Sequence, residues 1–426
     1  MRHPAIAAYL GRNRGVIFLC VSIFAGSLGM GVIAPVLPLF TDQEFNVNRT
    51  QVGLAVGLFG VGRIFVSLPA GYLTQRYGRR FVLILGAAIN ALGAFMVAIS
   101  FSYRWLVGWR MVSGIGSTMS TTGVSVFLSD ISGPQNRARL LSLHELSILA
   151  AQSIGPIIGG FMGDHMGLRT PLYFQGFLML AGLVVVIFGV PETRFRSLVP
   201  TGGDESQNLA KGTKGSQRSS STPPGAYRKL LLNSGFILVG LLGMMIVANR
   251  QGGRFTVMPL YGEAKGFRAS QLGIFIAITH LPQFFTTLAS GFISDRFGRK
   301  VTILPAVVLI SLGILLFIYT ASFPGLVLSG VLLGLGEGLA GPPLVAFFAD
   351  IAPPGMEGVT MGWFRTFGGA GSLLGAFLLG GVADLLGFGW SLGIDALLLV
   401  ASALGVMLVV RETAGKNARN HNEIGS

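Results

Sequence analysis

The decapeptide GYLTQRYGRR, residues 71–80, recurs as GFISDRFGRK at residues 291–300, an offset of 220 positions (291 minus 71). Each copy follows one long apolar run and precedes another, so each forms a short basic loop between two apolar segments. The same offset relates Asp130 to Asp350, Gly155 to Gly375 and Glu192 to Glu412. Four landmarks at one spacing indicate that the chain contains two copies of one unit.

The composition excludes an ordinary soluble domain. Hydrophobic residues make up 51% of the 426 residues and charged residues 11%, and the mean hydropathy is +0.67. A run of about 20 apolar residues can cross a bilayer core of roughly 30 Å. The runs of this length are predicted at about 15–40, 51–73, 81–101, 105–127, 140–163, 170–190, 231–259, 270–293, 301–321, 324–347, 358–383 and 389–410. We keep the first run as a span because no small-residue cleavage site follows it.

These runs predict an all-α membrane protein with twelve transmembrane helices in two pseudo-symmetric six-helix bundles. We expect an N-terminal bundle at residues 1–193, a flexible cytoplasmic linker at 194–228 and a C-terminal bundle at 229–426. The linker is rich in Ser, Gly, Pro and Thr and lacks apolar periodicity. Parallel repeats of this kind are typical of secondary transporters.

The basic residues indicate the orientation in the membrane. Most of the 31 Lys and Arg residues fall on the side of the predicted termini. This bias predicts that both termini are cytoplasmic and that the protein is a multi-pass protein of the plasma membrane. The net charge of +14 is spread over these loops, so we expect no nucleic-acid partner. The single Cys20 cannot form an intrachain disulfide, and we expect no metal site and no cofactor.

The loop between the second and third runs resembles the signature of the major facilitator superfamily. The matching residues of the first copy are Gly71, Leu73, Arg76, Gly78, Arg79 and Arg80. The second copy carries Gly291, Asp295, Arg296, Gly298 and Arg299. The resemblance covers nearly the whole chain and implies the major facilitator fold.

Two further motifs resemble those of the twelve-helix drug:proton antiporters within that superfamily. The fourth run contains Arg110, Gly114 and Gly116, and the fifth contains the antiporter pattern G-P-x-x-G-G as Gly155, Pro156, Gly159 and Gly160. Proline bends a helix and glycines allow a neighbouring helix to approach closely. The resemblance therefore implies proton-coupled efflux.

One position departs from the superfamily signature. The acid expected in the first loop is Gln75, whereas the second loop keeps Asp295. In the superfamily this acid helps to hold the outward-facing state by capping a helix N-terminus, where a carboxylate is favoured. We expect a weaker contact at Gln75 and an intact one at Asp295, unless Gln75 is a tolerated surface variant.

Charged groups inside membrane spans are costly and are therefore candidates for function. Glu337 lies mid-way along the tenth run between glycines. It could carry the proton, pair with a cationic substrate or form a static ion pair. The resemblance links Arg110 to proton coupling. Its permanent charge could tune a neighbouring carboxylate, or it could form a fixed ion pair.

Four other polar residues lie within predicted spans. His280 could titrate near neutral pH or be a hydrogen-bonded packing residue. Glu145 and Arg365 occupy equivalent places in the two copies, and we expect them to gate or anchor the cytoplasmic ends. Asp395 is expected to be solvated near the external end.

A binding cavity for amphipathic molecules needs apolar and aromatic walls. The candidates for such walls are Arg63, Phe174, Gln175, Arg254, Tyr261, Phe284, Phe285 and Arg365.

Three functions remain open. The first is proton-coupled efflux of drug-like molecules by a monomer in the lipid bilayer. The second is transport of a polar or anionic metabolite by symport or uniport, with an anion held by Arg63, Arg254 or Arg365. The third is a ligand receptor that does not transport. No phosphate-binding loop or catalytic constellation is visible in the sequence, so we predict no enzymatic activity.

Overall fold

The computed structural model of the protein describes residues 14–131, 137–190, 233–352 and 356–414, and these residues contain helices and no strand. The helices, numbered in chain order, are Arg14–Ile33 with Val36–Phe45 (α1), Arg49–Tyr77 (α2), Arg79–Ala98 (α3), Tyr103–Ile131 (α4), Arg137–Met166 (α5), Thr170–Gly189 (α6), Ser234–Ala264 (α7), Ala269–Phe297 (α8), Arg299–Tyr319 (α9), Phe323–Asp350 (α10), Glu357–Leu386 (α11) and Phe388–Val409 (α12).

The predicted all-α membrane fold is confirmed, and each predicted run corresponds to one of these helices. Nine of the described helices are long and apolar enough to cross a membrane, and the bent pair that forms α1 makes a tenth. The other two, α2 and α4, have 29 residues each. At 1.5 Å per residue that is about 43 Å, more than enough to cross. They are less apolar because α2 carries Arg63 and α4 carries Arg110 with many hydroxyl side chains.

The two repeated decapeptides form equivalent turns. Gly78 separates α2 from α3 with φ = 102°, and Gly298 separates α8 from α9 with φ = 115°. Side chains disfavour this region of backbone conformation, so glycine is required at both positions. A one-residue turn brings the basic residues that follow it to the start of the next helix.

Two helices are irregular in ways that apolar periodicity did not predict. The two parts of α1 meet at an angle of 48°, where Pro35 interrupts the backbone hydrogen bonds. In α7, residues Asn249–Val257 form a π-helix. Its wider i→i+5 turn changes which side chains share a face, and such segments often occur at functional sites.

Each half of the chain packs its helices in the same way. In the first half α1 packs on α5 and α6, α2 on α4, and α3 on α4 and α6, and the helices six numbers later repeat these pairs. Between the halves α2 packs on α11, and α5 packs on α8. The repeat pairs α2 with α8 and α5 with α11, so exchanging the halves converts each of these contacts into the other. The halves are therefore related by a pseudo-twofold axis. The limits of the linker, residues 194–228, fall outside the described residues and stay a prediction.

The two halves touch mainly at one end of the molecule. We call this the closed end; it holds the connections α1–α2, α5–α6, α7–α8 and α11–α12. Every hydrogen bond that the described residues form between the halves lies there. The opposite end, with the two decapeptide turns, we call the open end.

Candidate transport site

One contact at the closed end joins α5 to the first residues of α8. The carboxylate of Asp164 accepts hydrogen bonds from the backbone nitrogens of Ala269, at 2.9 Å, and Ser270, at 3.0 Å. These nitrogens have no partner inside their own helix because they belong to its first turn. The negative charge is also favoured by the helix dipole. Asp164 therefore ties the first half to the second.

The second contact repeats the first with the halves exchanged. Asp384 of α11 accepts hydrogen bonds from the backbone nitrogens of Arg49, at 3.0 Å, and Thr50, at 2.9 Å. The offset between the two aspartates is 220 (384 minus 164), the offset of the decapeptides. We call these two contacts the paired latch. Sequence reasoning missed it, although the repeat offset alone could have found both acids.

Glycines allow the halves to approach closely at this end. A methyl group built on Gly160 would collide with the carbonyl oxygen of Ala269, and one on Gly273 with that of Pro156. The repeat-related Gly380 and Gly53 meet the other half in the same way, against Arg49 and Ala376. Gly155 and Gly159 instead pack against α1. The antiporter pattern thus contributes to packing within the first half and across the interface.

A cavity of about 200 Å³ lies between α7, α8, α10 and α11 of the second half. Its polar lining is Arg250, Gln283 and Glu337, and its apolar lining includes Ile246, Val247, Leu344, Val345 and Phe364. An apolar wall with a few convergent polar groups is typical of a small-molecule site.

Glu337 forms a buried ion pair with Arg254 of the π-helix. Arg254 Nη2 lies 3.0 Å from Glu337 Oε2, with side-chain exposures of 1% and 5%. The Nε and Nη1 atoms of Arg254 have no hydrogen-bond partner among the described residues. The sequence placed Arg254 in the wall of a binding cavity. Arg254 does not line this cavity, because its charge is buried against Glu337. The geometry matches the ion pair that was one of three alternatives for Glu337.

Three further arginines lie on helices that pack on one another. Arg63 of α2, Arg250 of α7 and Arg365 of α11 are all exposed. Gln251, next to Arg250, donates to the hydroxyl of Ser372 of α11, about two turns from Arg365. None of the three pairs with an acidic side chain in the part of the chain that the structure describes. We call them the arginine cluster. Arg250 was not selected from the sequence, although it lies in the same run as Arg254.

Arg110 and His280 are buried, and both bind backbone carbonyls. Arg110 Nε donates to the carbonyl oxygen of Ala55 at 3.3 Å, and its guanidinium lies 4.9 Å from the ring centre of Phe59. The structure thus gives Arg110 a backbone contact where a carboxylate neighbour was expected. His280 Nδ1 lies 3.0 Å from the carbonyl oxygen of Ile276, as a packing residue would.

Glu145 and Asp395 have contrasting surroundings. The Glu145 side chain is 67% exposed and lies 3.4 Å from His144 of the same helix, so it does not pair with Arg365. Asp395 was expected to be solvated but is 2% exposed. Its Oδ2 accepts a hydrogen bond from Asn249 Nδ2 at 2.6 Å. Asp395 is therefore a second buried acid beside the π-helix.

The remaining predicted wall residues do not line this cavity of the second half. Gln175 is 3% exposed and contacts Met30, and its neighbour Phe174 is half-buried in the same turn of α6. Tyr261 stacks on Phe388 at the closed end, with ring centres 5.3 Å apart. Phe284 packs edge-on against Phe285. Phe285 is 62% exposed and lies about 200° around α8 from Gln283 at 3.6 residues per turn.

The second decapeptide turn is tied to its own half. Arg299 pairs with Asp295 at 2.5 Å and with Asp350 at 3.2 Å, and Glu412 accepts hydrogen bonds from the backbone nitrogens of Arg299 and Lys300. Among the described residues, Asp295 forms no hydrogen bond or ion pair with α5 and pairs instead with Arg299.

The first turn repeats part of this arrangement. Arg79 Nε lies 2.7 Å from Asp130 Oδ2, and Arg80 donates to the carbonyl oxygen of Ile187 at 2.6 Å. The side chain of Gln75 lies outside what the structure describes, so its predicted effect on the contact with α11 stays a prediction.

Known proteins resemble the chain over most of its length. Its sequence matches the Major Facilitator Superfamily over residues 19–281 and 251–425. Multidrug resistance protein 1 of Bacillus subtilis is 24% identical over 381 residues, which cover 88% of this chain and 91% of that protein. The quinolone resistance protein NorA of Staphylococcus aureus is 24% identical over 377 residues, with coverage of 88% and 91%.

Solved structures share the fold at low sequence identity. The nucleoside transporter NupG has a TM-score of 0.74 at 16% identity, covering 93% of this chain and 99% of its own. The human organic anion transporter MFSD10 has a TM-score of 0.61 at 17% identity, covering 92% and 99%. The sequence match, the paired halves and the membrane-spanning helices agree: the chain belongs to the Major Facilitator Superfamily and is a membrane transporter rather than an enzyme.

Proposed function

We propose that the protein is a proton-coupled antiporter that exports amphipathic small molecules across the plasma membrane by alternating access. One observation carries this proposal: the two halves meet through the repeat-related paired latch at one end, and no hydrogen bond joins their described residues at the other. Because the two interface contacts are exchanged by the pseudo-twofold axis, the same fold can rock between two openings around a fixed site. One chain supplies both halves of this device, so we propose that it acts as a monomer.

The basic loops support an orientation for this cycle. The decapeptide turns at the open end carry Arg76, Arg79, Arg80, Arg296, Arg299 and Lys300. An excess of basic residues favours the cytoplasmic side, so we propose that the open end and both termini face the cytoplasm. The conformation would then be inward-facing, ready to load a substrate from inside the cell.

The buried pair of Glu337 and Arg254 supports proton coupling. A proton that reaches Glu337 would cancel its charge and release Arg254, whereas loss of that proton would restore the attraction. The π-helix that carries Arg254 belongs to α7, which packs on α11, one of the interface helices. Protonation of one carboxyl can therefore act on a helix next to the interface.

The direction of coupling rests on the relatives and on the glycine pattern of α5. Two relatives of the chain are named for multidrug and quinolone resistance, which favours export. The collision that any side chain at Gly160 would cause with α8 explains why the pattern needs glycine there. These points support antiport without naming a substrate.

Purified protein in liposomes provides the test. With potassium and valinomycin holding the membrane potential at zero, an acidic lumen drives accumulation of a fluorescent substrate by an antiporter, because protons leave as the substrate enters. We expect accumulation that collapses when nigericin removes the pH gradient. Accumulation driven by an alkaline lumen would indicate symport, and movement indifferent to the gradient would indicate uniport; either result would overturn the proposal.

A further inference from the structure

Three arginines gather beside the cavity, and none of them pairs with an acid among the residues that the structure describes. Arg250 lines the cavity directly. Arg63 and Arg365 are exposed and lie on α2 and α11, which both pack on the π-helix that carries Arg250. Like charges held together inside a membrane protein are unfavourable, so this cluster carries a free-energy cost unless an anion joins it. Such a cost points to a ligand that is part of the working cycle.

The acid nearest to the arginine cluster is already engaged. Glu337 lines the same cavity, but it lies 3.0 Å from Arg254, and that pair is neutral as a whole. The other buried acid of this region, Asp395, is bound to Asn249. Neither acid can neutralise the cluster without abandoning its present partner, so the cavity keeps a net positive charge.

We propose that the substrate is an organic anion: an amphipathic molecule whose carboxylate or sulfonate binds the arginine cluster. This proposal rests on the transport function proposed above and specifies its substrate class. Guanidinium groups present paired donors that match the oxygens of such anions. The apolar wall beside them, with Ile246, Leu344 and Phe364, suits the hydrophobic body of the same molecule.

The arrangement also selects against cations. A cationic substrate would meet Arg250 on the cavity wall and the two other arginines of the cluster beside it, and specificity often depends on such repulsion. The only carboxylate on the described cavity wall is that of Glu337, and Arg254 competes for it. The site therefore differs from a cavity for cationic drugs in the sign of its charge.

A matched set of probes tests the sign directly. Pyrenesulfonate, neutral pyrenemethanol and pyrenylmethyl-trimethylammonium share one ring system and differ in charge. We expect the purified protein to bind the sulfonate, measured by fluorescence anisotropy, and to bind the ammonium probe at least tenfold more weakly. Arg63→Gln, Arg250→Gln and Arg365→Gln should each weaken sulfonate binding by about tenfold, the scale of one lost charge-assisted hydrogen bond.

Two controls separate the charge from damage to the fold. Binding of pyrenemethanol should stay within twofold in every variant, because its affinity comes from the apolar wall. Arg268→Gln removes an exposed arginine at the closed end and should leave sulfonate binding unchanged. Equal binding of the two charged probes, or unchanged sulfonate binding in all three cluster variants, would overturn the inference. So would complete displacement of the sulfonate by phosphatidylglycerol in nanodiscs, because the cluster would then hold a lipid headgroup.

Transport by the same protein distinguishes this inference from the function on which it rests. Accumulation of the ammonium probe but not of the sulfonate, driven by an acidic lumen, would leave the antiporter in place and overturn the anionic substrate. Sulfonate binding that depends on the arginine cluster, without gradient-driven movement of either charged probe, would support the anion site and overturn the antiporter. Accumulation of the sulfonate alone supports both.

Discussion

Each of the two buried charges of Glu337 and Arg254 is stabilised by the other. The first prediction therefore concerns a variant that removes both charges. Glu337→Gln leaves a buried arginine without its partner, which costs about 3–5 kcal/mol in comparable buried pairs. The double variant Glu337→Gln with Arg254→Gln removes both charges and should recover much of the lost thermal stability. We expect the double variant to exchange substrate between the two sides but to lose accumulation driven by a pH gradient.

Melting temperatures and liposome transport measure the two effects separately. If the double variant still accumulates substrate against its gradient, proton coupling does not depend on Glu337. Asp395→Asn would then be the next variant to make, because Asp395 is the other acid buried beside the π-helix and asparagine retains a hydrogen bond to Asn249.

Single residues show where sequence reasoning succeeds and where it fails. Glu337 was selected because a carboxyl group in the middle of an apolar run is unusual in any fold. Its partner could not be found, since Arg254 was assigned to the wall of the cavity and Arg250 to no site at all. Both lie in a π-helix, where the usual spacing of 3.6 residues per turn no longer tells which side chains share a face.

At the scale of helices, the paired latch gives the second prediction. Asp164→Asn and Asp384→Asn each remove a charge from a helix N-terminus, worth about 1 kcal/mol or a fivefold change in population. Each variant should therefore shift the protein toward the outward-facing state, and the double variant should shift it further. Spin labels at Arg76→Cys and Arg296→Cys, both at the open end, should report shorter distances.

Glu44→Gln is the matched control for the latch. Glu44 is also an acid at the closed end, but it pairs with Arg169 of its own half. Its loss should leave the label distances unchanged. If the two aspartate variants behave like this control, the latch does not hold the closed end.

The glycines between α5 and α8 give the third prediction. Gly160→Ala places a methyl group against the carbonyl oxygen of Ala269, and overpacking of this kind costs about 1–3 kcal/mol. The variant should lose the inward-facing state in the same spin-label experiment and transport more slowly. Gly108→Ala is the control, since a methyl group there meets nothing within 4 Å. Equal effects of the two variants would mean that close approach at Gly160 is unimportant.

The helices correspond closely to the predicted apolar runs, but the bend in α1 and the π-helix in α7 were not predicted from those runs. The repeated decapeptides predicted a break between two helices in each half, but α2 and α8 continue through most of each decapeptide and end only at Gly78 and Gly298. The bend in α1 and the π-helix in α7 arise from packing against other helices, which no local pattern records. The paired latch lies between these cases: each aspartate is ordinary alone, and the repeat offset makes the pair recognisable.

For the whole molecule, the fourth prediction concerns sidedness. In a Cys20→Ser background, Arg296→Cys at the open end should react with a membrane-impermeant maleimide only after the cells are opened. Arg268→Cys at the closed end should react in intact cells. Both positions are exposed, and they avoid the strained glycines of the turns. The reverse pattern of labelling would invert the proposed orientation.

The overall architecture was the easiest level to predict. Two copies of one unit, separated by a constant offset, determine two similar bundles because each copy must bury the same faces. The relative tilt of the bundles could not be predicted in this way. It depends on which end of the interface is closed, and a transporter populates both arrangements with one sequence.

Because the halves touch over a short length, the membrane voltage falls over a shorter distance than the full thickness of the bilayer. From Arg49 to Gly60 the closed part of α2 rises about 17 Å, against roughly 30 Å for the whole hydrocarbon core. Water in the open cavity carries the electrical potential of its own side to the arginine cluster, so the voltage falls across the closed end alone. Transferring one elementary charge through 100 mV is worth about 2.3 kcal/mol.

An inside-negative voltage therefore favours the empty protein in the state whose three unpaired arginines share the cytoplasmic potential. A bound monovalent anion cancels one of these charges and weakens that preference. We expect the resting potential itself to return the emptied transporter to the side on which it loads.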